Sequence, residues 1–360
     1  MRPDAVLERP LSSPWLSLVT VLATCACEST PEEAPAEAVR TPTPAAPAQM
    51  APAQPACAMS DADRAWIERA LEAWRFTSRE ISGIGRVPRF RAIFFDASCV
   101  LTSEDALTSP TAEGVTWSAA PHAGQIPMPD GREIPSGVTS FCSGDKQTTW
   151  FAMSTPSVWS AGGVGEGPDL EQTMVAVMLH EATHVAQIKT YGPRLGALID
   201  RYRLPDSFGD DAVQERFGSN HEFAASVGRE IQLFTRAAAA GDDTEAKLLA
   251  DDARELMRER KERWFVGDDA YLAEAEDIWL TYEGSAQWVA YQWQVHPRGA
   301  AAAPADIEKR LTRDSHWSQA EGFALVFALD RIAGPDWKRH AFGDGAQTVI
   351  EMMDTALAAD

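Results

Sequence analysis

The stretch from Met174 to Gln187 is the part of the sequence that most constrains the fold. It has helical periodicity and is apolar on nearly all sides, which predicts a helix buried among other elements. The same stretch carries His180, Glu181 and His184. Burying a glutamate without compensation is costly, so a metal site explains these residues better than a solvent-facing helix does.

The order and spacing of these three residues suit hydrolysis at a metal ion. Residues i and i+4 share one face of a helix, so the imidazoles of His180 and His184 can both reach a single ion. Glu181 can accept a proton from a metal-bound water, whose pKa the metal lowers towards neutrality. With 7 histidines in 360 residues, this pattern arises by chance in roughly one such chain in a hundred.

The segment His180–His184 resembles the zinc-binding motif of the zincin superfamily of metallopeptidases. The metzincin branch would require glycine at the position of Gln187 and histidine at that of Thr190. Neither is present, and the metzincin branch is therefore excluded.

In the gluzincin branch the third ligand is a glutamate on a later helix, and Glu283 is the best match. Glu283 begins a Glu-Gly-x-Ala segment that resembles the corresponding gluzincin segment. The small residues Gly284 and Ala286 predict that this helix presses close against the histidine-bearing one. Glu222 and Glu230 are rival candidates, but neither has such a small-residue context.

The gluzincin resemblance implies Zn²⁺ as cofactor, a peptide or protein as substrate, and Glu181 as general base and later proton donor. It also implies a tyrosine or histidine that stabilises the oxyanion. The sequence leaves Tyr282, Tyr291, His296 and His340 open for that role. Tyr291 is favoured because it lies two turns beyond the proposed ligand.

The rest of the chain predicts an α+β fold, with a small mixed sheet followed by a mainly helical half. We expect one zincin-like domain over 60–360, its sheet part at about 60–165 and its helical part at about 166–360. Ser60 is the expected N-cap of the first helix and Asp169 that of the motif helix. The expected later helices are near 169–189, 219–240, 244–264, 268–294, 317–333 and 346–358.

Two segments have the composition of strands, Arg91–Phe95 and Thr148–Met153. By resemblance to zincins, the second would lie at the sheet edge that aligns an extended peptide substrate.

The first 27 residues indicate an export signal. Arg2 and Arg9 precede a short apolar run, which suits a secretory signal better than a membrane-spanning helix. The run resembles a bacterial lipoprotein signal, with Cys25 or alternatively Cys27 as the lipidated residue. Residues 28–59 are rich in proline and alanine and predict a disordered tether. The expected location is therefore the cell envelope, with a lipid anchor as the only membrane contact.

Export makes a disulfide plausible, and the sequence predicts Cys99 with Cys142, leaving Cys57 in the tether as the odd cysteine. The net charge of −21, without a cluster of lysine and arginine, argues against nucleic acid as a partner. The sequence does not indicate an oligomeric state.

Two other classes of function remain open. One is a catalytically degenerate zincin-fold lipoprotein that acts as a binding or scaffold protein. The other is a hydrolase of a non-peptide bond, or a metal-buffering protein.

Overall fold

The computed structural model describes residues 57–83, 90–103, 115–144, 148–205, 207–313, 316–345 and 347–359. The predicted signal, with its candidate lipidation residues Cys25 and Cys27, lies outside these residues, as does the predicted tether up to residue 56. Among the described residues, no helix is both long and apolar enough to cross a bilayer.

The sheet region holds the two strands that the sequence predicts. The described strands are β1 (Arg91–Phe95), β2 (Cys99–Ser103), β3 (Trp117–Pro121), β4 (Gln125–Pro127), β5 (Glu133–Pro135), β6 (Ser140–Gly144) and β7 (Thr149–Ser154). Five of them form a mixed sheet in the order β3-β2-β1-β7-β6, and β4 and β5 form a separate hairpin. The β1–β7 pair is parallel and the other pairs are antiparallel.

Both faces of the central strands are buried, and their residues alternate between two apolar clusters. Ala92 and Phe94 belong to the main core with the helices. Ile93 and Phe95 belong to a second cluster with Ile126 of the β4–β5 hairpin. The hairpin therefore covers the face of the sheet that the helices leave uncovered.

Helices dominate from residue 156 onwards, which confirms the α+β expectation. The described α-helices are α1 (Asp61–Phe76), α2 (Pro156–Ala161), α3 (Gly167–Gln187), α4 (Gly192–Tyr202), α5 (Ala212–Phe217), α6 (His221–Ala238), α7 (Asp243–Trp264), α8 (Leu272–Val295), α9 (Pro304–Leu311), α10 (Trp317–Ile332), α11 (Trp337–Arg339) and α12 (Val349–Ala358). Six of them, α3, α6, α7, α8, α10 and α12, match the expected segments to within a few residues. Ser60 caps α1 as predicted, because its hydroxyl accepts the backbone N–H of Asp63.

The expected N-cap of the motif helix was wrong. Helix α3 begins at Gly167 with Glu166 as N-cap, so Asp169 lies in its first turn. Pro168 explains the earlier start, since proline has no backbone N–H to satisfy and favours the first turn of a helix.

Helix α8 is the centre of the helical half and packs against α3 on one side and α10 on another. The small residue Gly284 serves a different contact from the expected one. A Cβ atom at Gly284 would lie 2.3 Å from the carbonyl oxygen of Gly322 on α10. Gly284 therefore allows α8 to approach α10, whereas the neighbouring Ser285 faces α3 through its contact with Gln187.

The predicted pairing of Cys99 with Cys142 was wrong. The disulfide joins Cys99 to Cys57 instead. Cys142 is buried within β6, in the five-stranded sheet that also contains Cys99 on β2. The segment that precedes α1 passes beside β2, a proximity that sequence spacing does not show.

The expected edge position of the second strand was also wrong. β7 lies inside the sheet between β1 and β6, and among the described strands β6 forms that edge. β6 also contacts α3. The strand beside the histidine-bearing helix is thus Ser140–Gly144.

Candidate metal centre

Helix α3 places His180, Glu181 and His184 in the interior, at the contact between the sheet region and α8. All three side chains are buried, with residue exposures of 7%, 3% and 1%. The Nε2 atoms of the two histidines are 2.8 Å apart. The i, i+4 spacing therefore brings both imidazoles to one point, as the sequence predicts.

Glu283 of α8 completes this group. One of its carboxylate oxygens is 3.3 Å from the Nε2 atom of His180, and the other is 3.3 Å from that of His184. In a tetrahedral zinc site with bonds of about 2.0–2.1 Å, neighbouring ligand atoms are about 3.3 Å apart. The three residues could thus hold a metal ion. The shorter separation between the two nitrogens would need a small outward shift of one imidazole.

The two rival glutamates lie in other contacts. Glu222 is on the surface and pairs with Arg263. Glu230 is buried, and its carboxylate binds Arg260. Within the described residues, Glu283 is the one carboxylate that groups with both histidines.

The charge state of Glu283 suits a metal ligand. Burial acts to raise its pKa, but His184 and His180, when they are protonated, outweigh burial and hold the pKa well below its usual range. One carboxylate oxygen, Oε2, has no hydrogen-bond partner among the described residues. An ionised carboxylate with an unused lone pair, facing two imidazole nitrogens, is a donor set that a divalent cation would satisfy.

Glu181 lies beside the candidate ligands in surroundings that raise the pKa of its carboxyl. Burial raises the pKa of its carboxyl, the charge of Glu283 adds to that shift, and His180 and His184 oppose it. Its Oε2 atom is buried without a hydrogen-bond partner in the described residues. Ser140 on the edge strand β6 is close enough to act on the same carboxyl. Glu181 therefore lies between the candidate ligands and the edge strand.

Gln187 holds His184 in place, a role that sequence reasoning missed. Its Oε1 atom is 3.1 Å from Nδ1 of His184, and its Nε2 atom donates to the hydroxyl of Ser285 at 2.6 Å. The Ser285 hydroxyl donates its own proton to the carbonyl oxygen of Thr281. Ser285 must therefore accept from the amide, which turns Oε1 of Gln187 towards the imidazole. His184 then carries its proton on Nδ1 and presents the lone pair of Nε2 to the site.

The structure does not bring Tyr291 into the centre, against the expectation that it stabilises an oxyanion. Its hydroxyl donates to Glu308 of α9 at 2.6 Å, and its ring packs against Phe323 and Phe327. Burial and the bond to Glu308 raise its pKa. Eight residues of helix turn a side chain by about 80° beyond two full turns and move it about 12 Å along the axis. Tyr291 therefore points away from the face that carries Glu283.

The other aromatic and histidine candidates lie as follows. Tyr282 packs its ring against His184, with centroids 5.8 Å apart, and its hydroxyl donates to the carbonyl oxygen of Gln187. His296 contacts Phe76, and His340 lies beside Arg339 in the turn that follows α11. Of the four candidates, Tyr282 is the one with a described contact to a ligand histidine.

Asp210, between α4 and α5, is a second residue that sequence reasoning missed. Burial raises its pKa to about 7, and the charges of Glu283 and Asp211 add to the shift. Asp210 lines a cavity together with Trp279 and Leu280 of α8, about one helical turn before Glu283. No spacing in the sequence relates this loop residue to the motif on α3.

The comparisons with known proteins give no relative. The chain matches no protein-family model, no curated protein and no solved structure.

Proposed function

We propose that this protein is a zinc-dependent hydrolase, most specifically a metallopeptidase of gluzincin type. The observation that carries the proposal is the buried group of His180, His184 and Glu283 with Glu181 beside it. Two imidazoles and one carboxylate form a typical ligand set for catalytic zinc. Such an ion, held by His180, His184 and Glu283, would bind water or a substrate carbonyl and would lower the pKa of that water towards neutrality.

Gln187 and Glu181 would have different roles in hydrolysis. Gln187 keeps Nδ1 of His184 protonated and its imidazole in one orientation. Glu181 accepts a proton from the attacking water and passes it to the nitrogen of the leaving amine. Burial raises the pKa of its carboxyl, which makes it a better proton acceptor than an exposed glutamate.

The edge strand β6 supports an extended peptide as substrate. It has one strand neighbour among the described residues, β7, and it contacts the helix that carries the motif. Main-chain pairing along such an edge binds a peptide with little sequence preference. Ser140, at the start of β6, lies near Glu181 and would place the peptide next to the proton-transfer group.

We also propose export to the cell envelope. The Cys57–Cys99 disulfide supports it, because disulfides persist in oxidising compartments.

The test is a matched pair of variants of the zinc-loaded protein. Glu181→Gln keeps the shape of the side chain but cannot accept the proton. We expect it to bind one equivalent of zinc and to hydrolyse a mixed peptide library about 10²- to 10⁴-fold more slowly. Glu171→Gln, on the same helix but at the surface, is the control and should keep both properties. Zinc is measured by elemental analysis and hydrolysis by mass spectrometry of the peptides.

Undiminished hydrolysis by Glu181→Gln would refute the mechanism. Stoichiometric zinc with no hydrolysis of any peptide by the unmodified protein would instead favour the degenerate, binding form of the fold.

A further inference from the structure

A cavity lies next to the metal centre, one helical turn before Glu283 on α8. It is small, about 10 Å³, which is space for one water-sized group. Its lining includes Asp210, Gln214, Glu276, Trp279, Trp317 and Glu321. Asp210, Gln214 and Trp317 are partly exposed and form its mouth, whereas Glu276, Trp279 and Glu321 are buried and form its floor. Because residues 279 and 283 share one face of α8, the cavity opens beside the candidate ligand.

The two buried glutamates in the floor, Glu276 and Glu321, form ion pairs with cationic side chains. The guanidinium of Arg260 binds Glu276 at 2.7 Å and Glu321 at 2.9 Å. Lys261 adds a second cation beside Glu276. Arg260 also binds Glu230, and Lys261 also binds Asp277. These buried ion pairs hold the helices together, and each glutamate of the floor has a cationic partner.

Asp210 differs from them because no cation accompanies it. Its one described hydrogen bond is from the Ser318 hydroxyl, at 3.3 Å. Among the residues that the structure describes, no lysine, arginine or histidine forms an ion pair with its carboxylate. A partly buried carboxylate that the charge of Glu283 destabilises is stabilised when a positive group binds to it.

Trp279 and Trp317 make the cavity suitable for a peptide residue with a positive charge. The indole N–H of Trp279 is buried and has no hydrogen-bond partner in the described part of the chain, so it offers a donor to a carbonyl oxygen. Trp317, whose ring stacks on Phe223, adds an aromatic side chain at the mouth, and aromatic rings attract cations. An acceptor for a cation and a donor for a carbonyl thus line the same small cavity.

We infer that this cavity is a substrate subsite that binds a cationic group next to the scissile bond, with Asp210 as the specificity-determining residue. This inference rests on the proposed peptidase function. An ammonium group, which is about the size of a water molecule, can come from a lysine side chain or from the amino terminus of a short peptide. Both sources share the chemistry that Asp210 recognises.

The experiment compares matched peptides with the full-length, zinc-loaded protein. One pair carries lysine or norleucine at the residue beside the cleaved bond, and another has a free or an acetylated amino terminus. In one of the two pairs, we expect kcat/KM for the cationic peptide to exceed that for the neutral peptide by about tenfold or more. A hydrogen bond to a charged group has an effect of this size. In Asp210→Asn this ratio should fall to near one.

Two further variants test whether the effect depends on the charge at position 210. Asp336→Asn removes the same charge from the exposed turn at Gly334–Asp336 and should keep the ratio of the unmodified protein. Asp210→Glu keeps the charge and should keep a preference for the cation. Zinc content and thermal unfolding of each variant identify any loss of folding.

The outcomes separate the two proposals. Zinc-dependent hydrolysis with the same ratio in Asp210→Asn as in the unmodified protein would overturn the subsite alone. Absence of zinc-dependent hydrolysis of every peptide would overturn the proposed function and the subsite with it.

Discussion

Replacing Gln187 with methionine tests whether the hydrogen-bond chain behind His184 supports metal binding. Methionine has nearly the same volume but can neither accept from Nδ1 of His184 nor donate to Ser285, the two bonds of 3.1 Å and 2.6 Å. The loss leaves the imidazole without its orienting partner in a site that is 1% exposed. Removing such a partner typically weakens metal affinity 10- to 100-fold, or about 1.4 to 2.7 kcal/mol.

The assay is competition for Zn²⁺ between the protein and a chromophoric chelator of known affinity. Gln187→Glu serves as rescue, because a carboxylate also accepts from Nδ1 and is a common partner of zinc-bound histidine. We expect it to bind zinc within a few-fold of the unmodified protein. Gln292→Met, at a half-buried position on α8, is the control for the substitution itself. Unchanged zinc affinity in Gln187→Met would refute the positioning role.

Three further predictions concern the fold and its response to pH. Gly284→Ala should destabilise the protein by about 3 kcal/mol in urea unfolding, because the added Cβ would lie 2.3 Å from the carbonyl oxygen of Gly322. Gly228→Ala is the control and should be neutral or stabilising, because there is open space around the added Cβ. Cys57→Ser should cost about 2 to 4 kcal/mol by releasing the disulfide to Cys99, and an equal stability under non-reducing conditions would contradict it. In the presence of chelator, the free energy of unfolding should fall as pH rises from about 4 through 7. The reason is that Asp210 has a pKa of about 7 in the folded protein and its ordinary value of 3.8 in the unfolded chain, so the folded protein holds the proton over this range and the unfolded chain does not. Asp210→Asn should remove about 2 to 3 kcal/mol of the difference between pH 5 and pH 8, and an unchanged difference would show that another group causes it.

The sequence predicts local features of the site well, because they follow from helix geometry. The i, i+4 spacing of His180 and His184 fixes their common face, and the buried helix is visible in the apolar stretch around them. A small-residue pattern in the sequence points to Glu283, and α8 does pack against α3 as that pattern predicts, but Gly284 has a different role from the expected one. Gly284 packs against α10, and the approach to α3 is made by Ser285.

The features that the sequence did not predict depend on contacts between distant segments. The pairing of Cys99 with Cys57 needs the path of the chain ahead of α1, and the position of β7 inside the sheet needs the order of the strands. Asp210 lies in a connection whose place beside the metal centre is set by how α4, α5 and α8 pack. In the sequence, Gln187 only indicates that the metzincin pattern is absent. Its contact with His184 at i+3 is local, and the helical spacing alone could have indicated it.

The Cys57–Cys99 disulfide determines how a mechanical load would enter the domain. A pull on the chain ahead of Cys57 passes through the covalent bond into β2, which hydrogen-bonds to β1 and β3 on its two sides. Helix α1, with its Ser60 cap, lies within the cross-linked loop and would bear none of this force. After reduction, the same pull would act directly on the first turn of α1 and unwind it from its end. The disulfide would therefore let the domain withstand tension along an attached segment without loosening the helix that packs against α3.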